Sequence, residues 1–470
     1  MLPDEVLLEI FNFCRNKDPR SPTPIQWWTL LVHVCQRWRQ VIFESPRRLN
    51  LQIRCTRRTP VKKDLGIWPA FPIVIDYRTK RTPEGEHNIM AALEHPDRVC
   101  AIRLDFAEVS RELVANIVMA IQKPFPLLTH LRITLYSLGS VDPFVIPAEF
   151  LGGSAPRLQE VTLFGIPYPG LPTLLLSASD LAKLDIFLIP QTGYISPEAM
   201  VASLAAFPRL ETLAIGFQSV TSRPDRKHPP PPCPPLMRIV FPALTYFRFQ
   251  GASRYLENLV ARIDGPQLNK IHIAYLNKVH FKVVQFSSFI NRTVGPTINL
   301  YKHARFSFFH GITFTMYPHA NHSPWDGRPV TISISCEGRD HEVSQIAQVL
   351  SHASAKLSDV VHLKLMAESY AGRLKYAADV EWLYILRQYS ALQTLYVSPG
   401  IAGHVALALE GIEGEMVDDF FPCLNLIRIV DQPASSIKKF LAARQLSGRP
   451  VIVIDTEAEF DERLESYVSE

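Results

Sequence analysis

A short apolar pattern recurs along this chain of 470 residues and constrains its fold more than any other feature. The pattern reads apolar-x-x-apolar-x-apolar, usually after a proline or a small residue, as in PRLQEVTL (156–163) and PRLETLAI (208–215). Its first apolar positions are 128, 158, 181, 210, 244, 268, 360, 392 and 424, so neighbouring copies lie 23–34 residues apart except across one gap of 92. Such a period predicts one strand per copy, followed by a segment that returns the chain to the next strand.

This repeat resembles the leucine-rich repeat, and the resemblance implies a solenoid of parallel strands that pair with their sequence neighbours. Weaker matches extend the pattern at 73–75, 102–104, 306–308, 332–334 and 452–454. Residues 200–207 and 255–263 are predicted return helices. The regular Asn or Cys that closes each repeat in that family is missing here. We therefore predict an irregular array of about eleven to thirteen parallel strands, in an α+β or α/β solenoid. A generic α/β domain with similar strands is the alternative.

Alternation along each strand separates the side chains that fill the core from those that face outward. The middle apolar position of the motif is predicted to point inward, at Leu131, Val161, Leu184, Leu213, Phe247 and Ile271. The residue between the last two apolar positions is predicted to face outward, and in chain order it is Arg103, Arg132, Thr162, Asp185, Ala214, Arg248, His272, Lys364, Tyr396 and Arg428. Half of this row is Arg or Lys, against 49 of 470 residues in the chain.

The basic row predicts a binding surface for a protein target that is acidic or phosphorylated, because the planar guanidinium of Arg pairs two oxygens of a carboxylate or phosphate at once. The predicted target-binding residues are Arg103, Arg132, Arg248, His272, Lys364, Tyr396 and Arg428. The alternative is that solvated strand faces simply favour Lys and Arg. A nucleic-acid partner is not expected, because base recognition normally adds stacking aromatic rings and Tyr396 is the one such ring in this row.

The first fifty residues differ from the repeats and carry more apolar residues than so small a unit can bury. Two helical patterns are predicted, one around Leu7, Ile10 and Phe11 and a second between residues 27 and 46. Pro3 suits the first turn of a helix, where its missing N–H costs nothing. The apolar excess is expected to contact either the domain that follows or a partner protein.

These residues resemble the F-box, a three-helix motif that docks on a Skp-type adaptor of a cullin ubiquitin ligase. The resemblance covers residues 1–53 and rests on LPxE at the start, then Ile10-Phe11, Val34-Cys35, Arg37-Trp38-Arg39 and Ser45-Pro46. The loop between the first two helices is long, a form familiar from fungal F-box proteins, and Gln36 stands where a basic residue is frequent. The resemblance implies adaptor binding by Leu2, Pro3, Glu5, Leu7, Ile10, Phe11, Val34, Cys35, Trp38 and Pro46.

Catalytic and cofactor-binding motifs do not stand out in the sequence, which contains no Gly-rich phosphate loop, GxSxG or HExxH. The seven cysteines are widely spaced without a CxxC, so we expect neither disulfides nor zinc. His303, His310, His319 and His322 cluster among aromatic residues, but scattered histidines in a strand-and-loop region explain them better than a metal site, which would want a carboxylate or cysteine nearby. We expect no enzymatic activity, no metal and no cofactor.

Net charge and hydropathy favour a protein outside the membrane. The formal net charge is +4, too small to imply nucleic acid by itself. The chain begins without a signal-peptide pattern and contains no apolar run near the roughly 18 residues that span a bilayer. Together with the cysteine usage, this predicts the cytoplasm or the nucleus, because a reducing compartment keeps thiols free.

The predicted domains are an F-box at 1–53, a basic linker at 54–69, a repeat solenoid at 70–454 and an acidic tail at 455–470. The predicted function is substrate recognition in a Skp–cullin–F-box ubiquitin ligase, with the F-box on the adaptor and the solenoid on the target. The alternative is a scaffold, or a solenoid that binds nucleic acid or phosphoproteins, outside any ligase. A proline-rich loop at 228–235 and the His- and Phe-rich stretch at 301–325 are further candidates for target contacts.

Overall fold

The computed structural model describes residues 2–15, 27–56, 59, 61–77, 83–105, 111–135, 145–219, 238–276, 284–293, 301–308, 312–317, 330–336, 357–367, 379–412, 420–429 and 437–455. These residues form two compact units, which we call unit 1 (residues 2–209) and unit 2 (residues 210–455). The predicted solenoid at 70–454 includes residues of both units. The predicted proline-rich loop, most of the acidic tail, and His310, His319 and His322 lie outside the described residues.

Unit 1 opens with three short helices and continues as alternating strands and helices. Its helices are α1 (Asp4–Arg15), α2 (Trp27–Leu31), α3 (Gln36–Glu44), α4 (Val61–Ile67), α5 (Pro83–Leu93), α6 (Arg111–Ala120), α7 (Leu171–Leu176) and α8 (Pro197–Leu204). Its strands are β1 (Ile53–Cys55), β2 (Ile73–Tyr77), β3 (Val99–Asp105), β4 (His130–Thr134), β5 (Glu160–Phe164) and β6 (Lys183–Ile189). From β1 to β6, each strand pairs in parallel with the next one in the chain.

Unit 2 continues the repeat with longer interruptions. Its helices are α9 (Ser253–Val260), α10 (Val284–Thr293), α11 (Asp379–Leu386), α12 (Pro399–Glu410) and α13 (Lys438–Leu446). Its strands are β7 (Thr212–Phe217), β8 (Ile239–Val240), β9 (Tyr246–Gly251), β10 (Ile263–Asp264), β11 (Lys270–Tyr275), β12 (His303–Phe308), β13 (Ile312–Tyr317), β14 (Val330–Cys336), β15 (His362–Ala367), β16 (Thr394–Val397), β17 (Leu426–Ile429) and β18 (Ile452–Asp455). The short strands β8 and β10 pair in parallel as a separate ribbon.

A proline turn precedes several of the strands. The first apolar residue of the motif donates its backbone N–H to the carbonyl three residues earlier, as from Leu158 to Ala155 at 3.1 Å and from Leu268 to Gly265 at 3.0 Å. The motif proline, such as Pro156, is the second residue of that turn, where its fixed φ fits and no N–H is needed. The proline therefore sets the direction in which each strand starts.

Successive repeats are joined by backbone hydrogen bonds at the start of each motif. The carbonyl of Gln159 accepts from the N–H groups of Ala182 and Lys183 at 2.8 and 3.0 Å. In unit 2, the carbonyl of Gln393 accepts from Asn425 and Leu426, both at 3.1 Å. The main chain therefore satisfies its own polar groups where one repeat meets the next.

The predicted class of parallel strands with return helices is confirmed. All six residues predicted to point inward are buried, and they are Leu131, Val161, Leu184, Leu213, Phe247 and Ile271. The two predicted return helices correspond to α8 and α9. Both units bury apolar side chains of strands and helices. Each such side chain contributes about 1.5–3 kcal/mol to the stability of the fold.

Strand order departs from the prediction between β11 and β15. The order there is β11, β14, β13, β12, β15, and β13 is antiparallel to both of its neighbours. Only three residues separate β12 from β13, whereas a parallel connection needs about a dozen or more. The alternating sequence ITFTMY of β13 suits a strand with one buried face. The sequential, all-parallel order predicted for the whole array is therefore wrong in this segment.

The stretch predicted as a basic linker, residues 54–69, contains regular structure. It includes most of β1, which pairs with β2, and all of α4. Ile53 and Cys55 are fully buried while Arg54 is exposed, because strand alternation turns only every second residue toward the core. In the described parts of the chain, no helix has the length and apolar character that crossing a membrane requires.

Candidate docking surfaces

An aromatic cluster fastens the three N-terminal helices to the rest of unit 1. Trp28 is buried, and its indole Nε1 donates to the backbone carbonyl of Gln52 at 3.3 Å. Its ring meets those of Phe43, Trp68 and Phe71 with centroids 6.4, 5.1 and 5.5 Å apart. Edge-to-face contacts of this kind add about 0.5–1.5 kcal/mol each beyond area burial. Some of the surplus apolar residues of the N-terminal segment are therefore buried inside unit 1.

Helix α1 is apolar on two sides, and only one side is covered within unit 1. Leu7, Leu8 and Phe11 are buried where α1 packs on the other two N-terminal helices. A second set lies at intervals of four, four and three residues, which places it along one side of a helix. This α1 stripe is exposed by 41–64% and consists of Leu2, Val6, Ile10 and Phe13.

Two further apolar side chains are exposed close to α1 in the chain. Leu30 on α2 is 64% exposed, and Val34 in the turn after α2 is 58% exposed. We call these two residues and the α1 stripe the N-terminal apolar surface. Exposed apolar residues scattered singly are ordinary, but the four residues of the α1 stripe share one side, and a contiguous exposed apolar patch is typical of an interaction site.

The predicted adaptor-binding residues divide between this surface and the core. Six of them are exposed, namely Leu2, Pro3, Glu5, Ile10, Val34 and Cys35. Leu7 and Phe11 instead fill the packing between helices, and Trp38 is half-buried with its ring centroid 5.0 Å from that of Phe11. Pro46 is half-buried after the end of α3. Val6, Phe13 and Leu30 are also exposed but were not among the predicted residues, although the 2, 6, 10, 13 spacing is visible in the sequence.

Polar contacts fix the start of α3 against the start of α1. Cys35 is the N-cap of α3, and its Sγ accepts a hydrogen bond from the backbone N–H of Trp38 at 3.5 Å. The guanidinium of Arg37 donates to a carboxylate oxygen of Asp4 and to the carbonyl of Leu2. Together these contacts hold the first residue of the α1 stripe in place.

The outward strand face of unit 1 carries cations and anions in equal number. Arg103 lies directly opposite Arg132 on one neighbouring strand and opposite Asp76 on the other. His130 Nε2 is 3.7 Å from a carboxylate oxygen of Glu160. The positively charged outward strand residues are Arg54, Arg103, Arg132 and Lys183, and the negatively charged ones are Asp76, Asp105, Glu160 and Asp185.

The outward strand face of unit 2 has three rungs, meaning sets of residues that lie opposite one another on successive strands. The longest rung is Tyr246, Lys270, Thr331, Thr315, Arg305, Lys364, Tyr396 and Arg428. The second rung is Arg248, His272, Ser333, Thr313 and Ser307. The third rung is Tyr317, His303, His362 and Thr394.

The predicted target-binding residues therefore do not form one row. Arg103 and Arg132 are neighbours in unit 1. In unit 2, Arg248 and His272 share the second rung. Lys364, Tyr396 and Arg428 instead belong to the longest rung, which is offset from the second rung by two residues along the strands. The shift enters where β12 pairs in parallel with β15, because Arg305 and not Ser307 lies opposite Lys364. Sequence reasoning missed the other charged members of the face, Lys270 and Arg305.

Histidine and tyrosine side chains accompany the cations of unit 2. The rings of His303 and His362 stack with centroids 4.5 Å apart and planes 4° apart, and those of Tyr246 and His272 are 5.5 Å apart. Burial lowers the pKa of His272, and the nearby Arg248 and Lys270 lower it further. Burial and Lys364 likewise lower the pKa of His362. These two rings are therefore neutral at pH 7.

Metal and thiol chemistry is not apparent in the part of the chain that the structure describes. Within it, no group of three or more His, Cys, Asp or Glu side chains is arranged to hold a metal ion. Cys14, Cys35, Cys55, Cys100 and Cys423 are free thiols. Burial raises the pKa of the Cys55 thiol to about 12, so this group stays protonated and unreactive at neutral pH.

Comparison with known proteins finds only distant likeness. No protein-family model and no curated protein matches the chain. Among solved structures, the leucine-rich repeat-containing protein LegL7 from Legionella pneumophila is 13% identical, with 77% of this chain and 95% of that chain covered and a TM-score of 0.28. TLR13 in its complex with ssRNA13 is 11% identical, with 80% of this chain covered, 42% of that chain covered and a TM-score of 0.32. Likeness at this level carries no functional argument.

Proposed function

We propose that this protein is the substrate-recognition subunit of a Skp–cullin–F-box ubiquitin ligase. Its first 53 residues dock on a Skp-type adaptor and through it on a cullin, and its strand faces bind the target protein. The chain performs no chemistry and holds no metal or cofactor. It brings the target to the ubiquitin-loaded enzyme, in the cytoplasm or the nucleus.

The observation that supports this proposal is the N-terminal apolar surface. Trp28 and its aromatic neighbours already cover the side of the helices that faces unit 1. The α1 stripe lies on a different side and is exposed, although burial of such residues is strongly favourable. The same segment carries the LPxE pattern and the later blocks that resemble the F-box. An apolar surface on a small helical unit suits a partner that presents its own apolar helices.

The decisive test is the double substitution Ile10→Glu with Phe13→Glu. Both side chains are exposed, by 41% and 64%, so the two changes lie outside the buried packing of Leu7, Leu8 and Phe11. Apolar anchors at interfaces contribute about 2–4 kcal/mol each, so binding to a purified Skp-type adaptor should weaken by at least about 100-fold. Calorimetric titration measures this directly. The pair Leu7→Ala and Trp38→Ala is less suitable, because Leu7 is 3% exposed and its loss would destabilise the helices themselves.

A matched control is available in the same unit. Met119 on α6 and Leu176 on α7 are each 64% exposed, the same fraction as Phe13. The double variant Met119→Glu with Leu176→Glu should bind the adaptor as wild type does. If the Ile10 and Phe13 variant keeps the melting temperature and the adaptor affinity of wild type, the docking proposal is refuted.

The alternative is a scaffold that never joins a ligase. Co-purification of the cullin with wild type, and its loss with the Ile10 and Phe13 variant, separates the two functions. Deletion of residues 1–53 is a poorer test, because it would uncover Trp68 and Phe71 and remove the start of β1. Point substitutions leave those contacts intact.

A further inference from the structure

The last strand of unit 2, β18, has one open side. Among the strands that the structure describes, β18 pairs with β17 alone. The backbone N–H of Ile452 donates to the carbonyl of Asn425 at 2.9 Å, and backbone groups alternate in direction along a strand. Those of Ile454 therefore also face β17, whereas those of Val451 and Val453 face the open side. Such an edge is a template for a further strand.

The features that usually protect an edge strand from pairing are missing from β18. Natural edges are often protected by lysine, by proline, by a bulge or by inward-pointing charges. Residues 452–454 read Ile-Val-Ile. The register with β17 is regular along the whole strand, without a bulge. These residues therefore do nothing to oppose the addition of another strand.

Apolar side chains stand on both faces of β18. On the outward face, the third rung continues through Leu426 to Ile452, and the longest rung ends at Ile454. Ile452 is 65% exposed and Ile454 is half-buried. On the core face, Val453 is also half-buried, although Ile427 opposite it on β17 is fully buried. A strand added beside β18 would cover apolar side chains on both faces.

The size of the edge indicates what it can hold. Its four residues extend about 13 Å at about 3.3 Å per residue. A stable protein–protein interface buries about 800 Å² on each partner, which is more than the pairing of two edges of this length supplies. An added peptide strand instead gains affinity from backbone hydrogen bonds and alternate side chains over a few residues. The edge therefore suits a short peptide strand better than a second copy of this chain.

We propose that the edge of β18 binds an extended peptide segment of about five residues as an added strand. The backbone groups of Val451 and Val453 pair with those of the segment. Apolar residues of the segment, β-branched or aromatic, pack beside Ile452 and Ile454 on the outward face and beside Val453 on the core face. This inference rests on the proposed function only in that the segment then belongs to the ligase target.

The test uses the full chain and three synthetic peptides. The strand probe is a fluorescent nine-residue peptide whose five central residues are Val, Ile and Phe, with Ser and Lys at its ends for solubility. Two further probes have the same sequence and carry two N-methyl groups each, on the second and fourth central residues or on the third and fifth. Binding is measured by fluorescence anisotropy.

The two N-methylated probes should differ in affinity, because alternate residues of an added strand face β18. N-methylation removes a hydrogen-bond donor. The probe that is methylated on the side facing β18 should lose at least about tenfold in affinity, since two hydrogen bonds are lost. The other should bind within about threefold of the strand probe. Equal affinity of the two would overturn the inference, because binding would then not depend on backbone pairing.

A substitution on β18 should weaken the strand probe. Ile452→Lys places a charge in the outward apolar patch, as natural edges do to avoid pairing, and should weaken binding by at least about tenfold. The matched control is Leu446→Lys, which makes the same change at a residue of α13 that is 90% exposed. The control should bind as wild type does. Equal losses in the two variants would reduce the effect to overall charge and refute the site.

Hydrogen exchange of the free full chain shows whether the edge is already occupied. The amide of Val453 should exchange rapidly in the free chain and slowly with the strand probe bound, whereas the amide of Ile452 should be slow in both. Protection of Val453 that rises with protein concentration would assign the edge to a second copy. Protection at every concentration without the probe would assign it to another segment of this chain. Either result overturns the inference.

Adaptor capture by the same preparations separates this inference from the proposed function. A chain that captures its adaptor but binds none of the probes refutes the strand site alone. A chain that binds the strand probe but captures no adaptor refutes the ligase function and leaves the strand site in place.

Discussion

The outward strand faces of the two units are built from the same repeat and differ in their electrostatics. In unit 1, Arg103 has Asp76 on the strand beside it, and Glu160 lies near His130. In unit 2, Arg305 has Lys364 beside it. The repeat determines which positions face outward, because that depends on strand alternation, but it leaves the residue type at those positions unconstrained. The shared repeat explains the fold, and the residue types at its outward positions differ between the two units.

The largest effect that separates the units is expected in binding of the strand probe. Arg103→Glu with Arg132→Glu reverses two cations on the outward strand face of unit 1, where cations and anions are equal in number. We expect this variant to weaken the strand probe by less than about threefold, against at least about tenfold for Ile452→Lys in unit 2. Anisotropy titrations under identical conditions measure both. Similar losses in the two variants would mean that the probe does not bind at the edge of β18.

Salt gives a second, smaller contrast. Exposed charges, such as those on the outward face of unit 1, are screened within about 8–10 Å at physiological ionic strength. Binding of the strand probe to unit 2 should change by less than about threefold between 0.05 and 0.5 M salt. Adaptor binding through the N-terminal apolar surface should be nearly unchanged or slightly tighter, since apolar burial does not depend on screening. The two affinities are measured in the same salt series. If salt weakened peptide binding but not adaptor binding, the two surfaces would differ in the type of interaction they use, which would contradict an apolar site on β18.

Stability should respond with opposite signs in the two units. Asp76→Asn removes the anion beside Arg103 and is expected to destabilise unit 1. Lys364→Gln removes a charge opposite Arg305 and is expected to stabilise unit 2. Each change should amount to about 0.2–1 kcal/mol, as measured for cross-strand charge pairs. Thermal unfolding of the two variants beside wild type checks the signs, and a shift in the same direction for both would contradict the comparison.

The smallest expected effect concerns the pH dependence of stability. Burial, Arg248 and Lys270 lower the pKa of His272 in the folded protein below the usual value of 6.5. The unfolded chain therefore takes up the proton first, and the stability that this neutral histidine allows is lost as the pH falls through 6.5 toward the folded pKa. Between pH 7.5 and 5.5, the melting temperature of the His272→Gln variant should fall less than that of wild type. An equal or steeper loss in the variant would contradict this.

The sequence was sufficient to predict the repeat but not its register in unit 2. Leu184 and Phe247 are buried as predicted because the motif repeats the alternation of each strand. Strand β13 was not predicted, and the pairing of β12 with β15 places Lys364 opposite Arg305, two residues from the rung of Arg248. Register across an antiparallel hairpin depends on the connection and on both partners, so a pattern read along one strand cannot specify it.

The N-terminal helices show a similar limit. The sequence predicted an apolar excess, and the resemblance supplied a partner for it. Helix α1 has apolar residues on two sides, however, and periodicity alone cannot show which side is covered. The structure shows that Leu7 and Phe11 pack inside while Val6 and Phe13 remain exposed. The outcome depends on Trp28, whose contacts with Trp68 and Phe71 orient the helices and are too distant in sequence to be predicted from spacing.

Photo-crosslinking of the strand probe is the most direct test of the contrast between the two units. The probe carries a benzophenone group on its central residue and is bound to the full chain, and the crosslinked residues are located by mass spectrometry. We predict crosslinks on β17 and β18, centred on Ile452 and Ile454. Crosslinks concentrated on the outward strands of unit 1, at residues 54–187, would contradict the account.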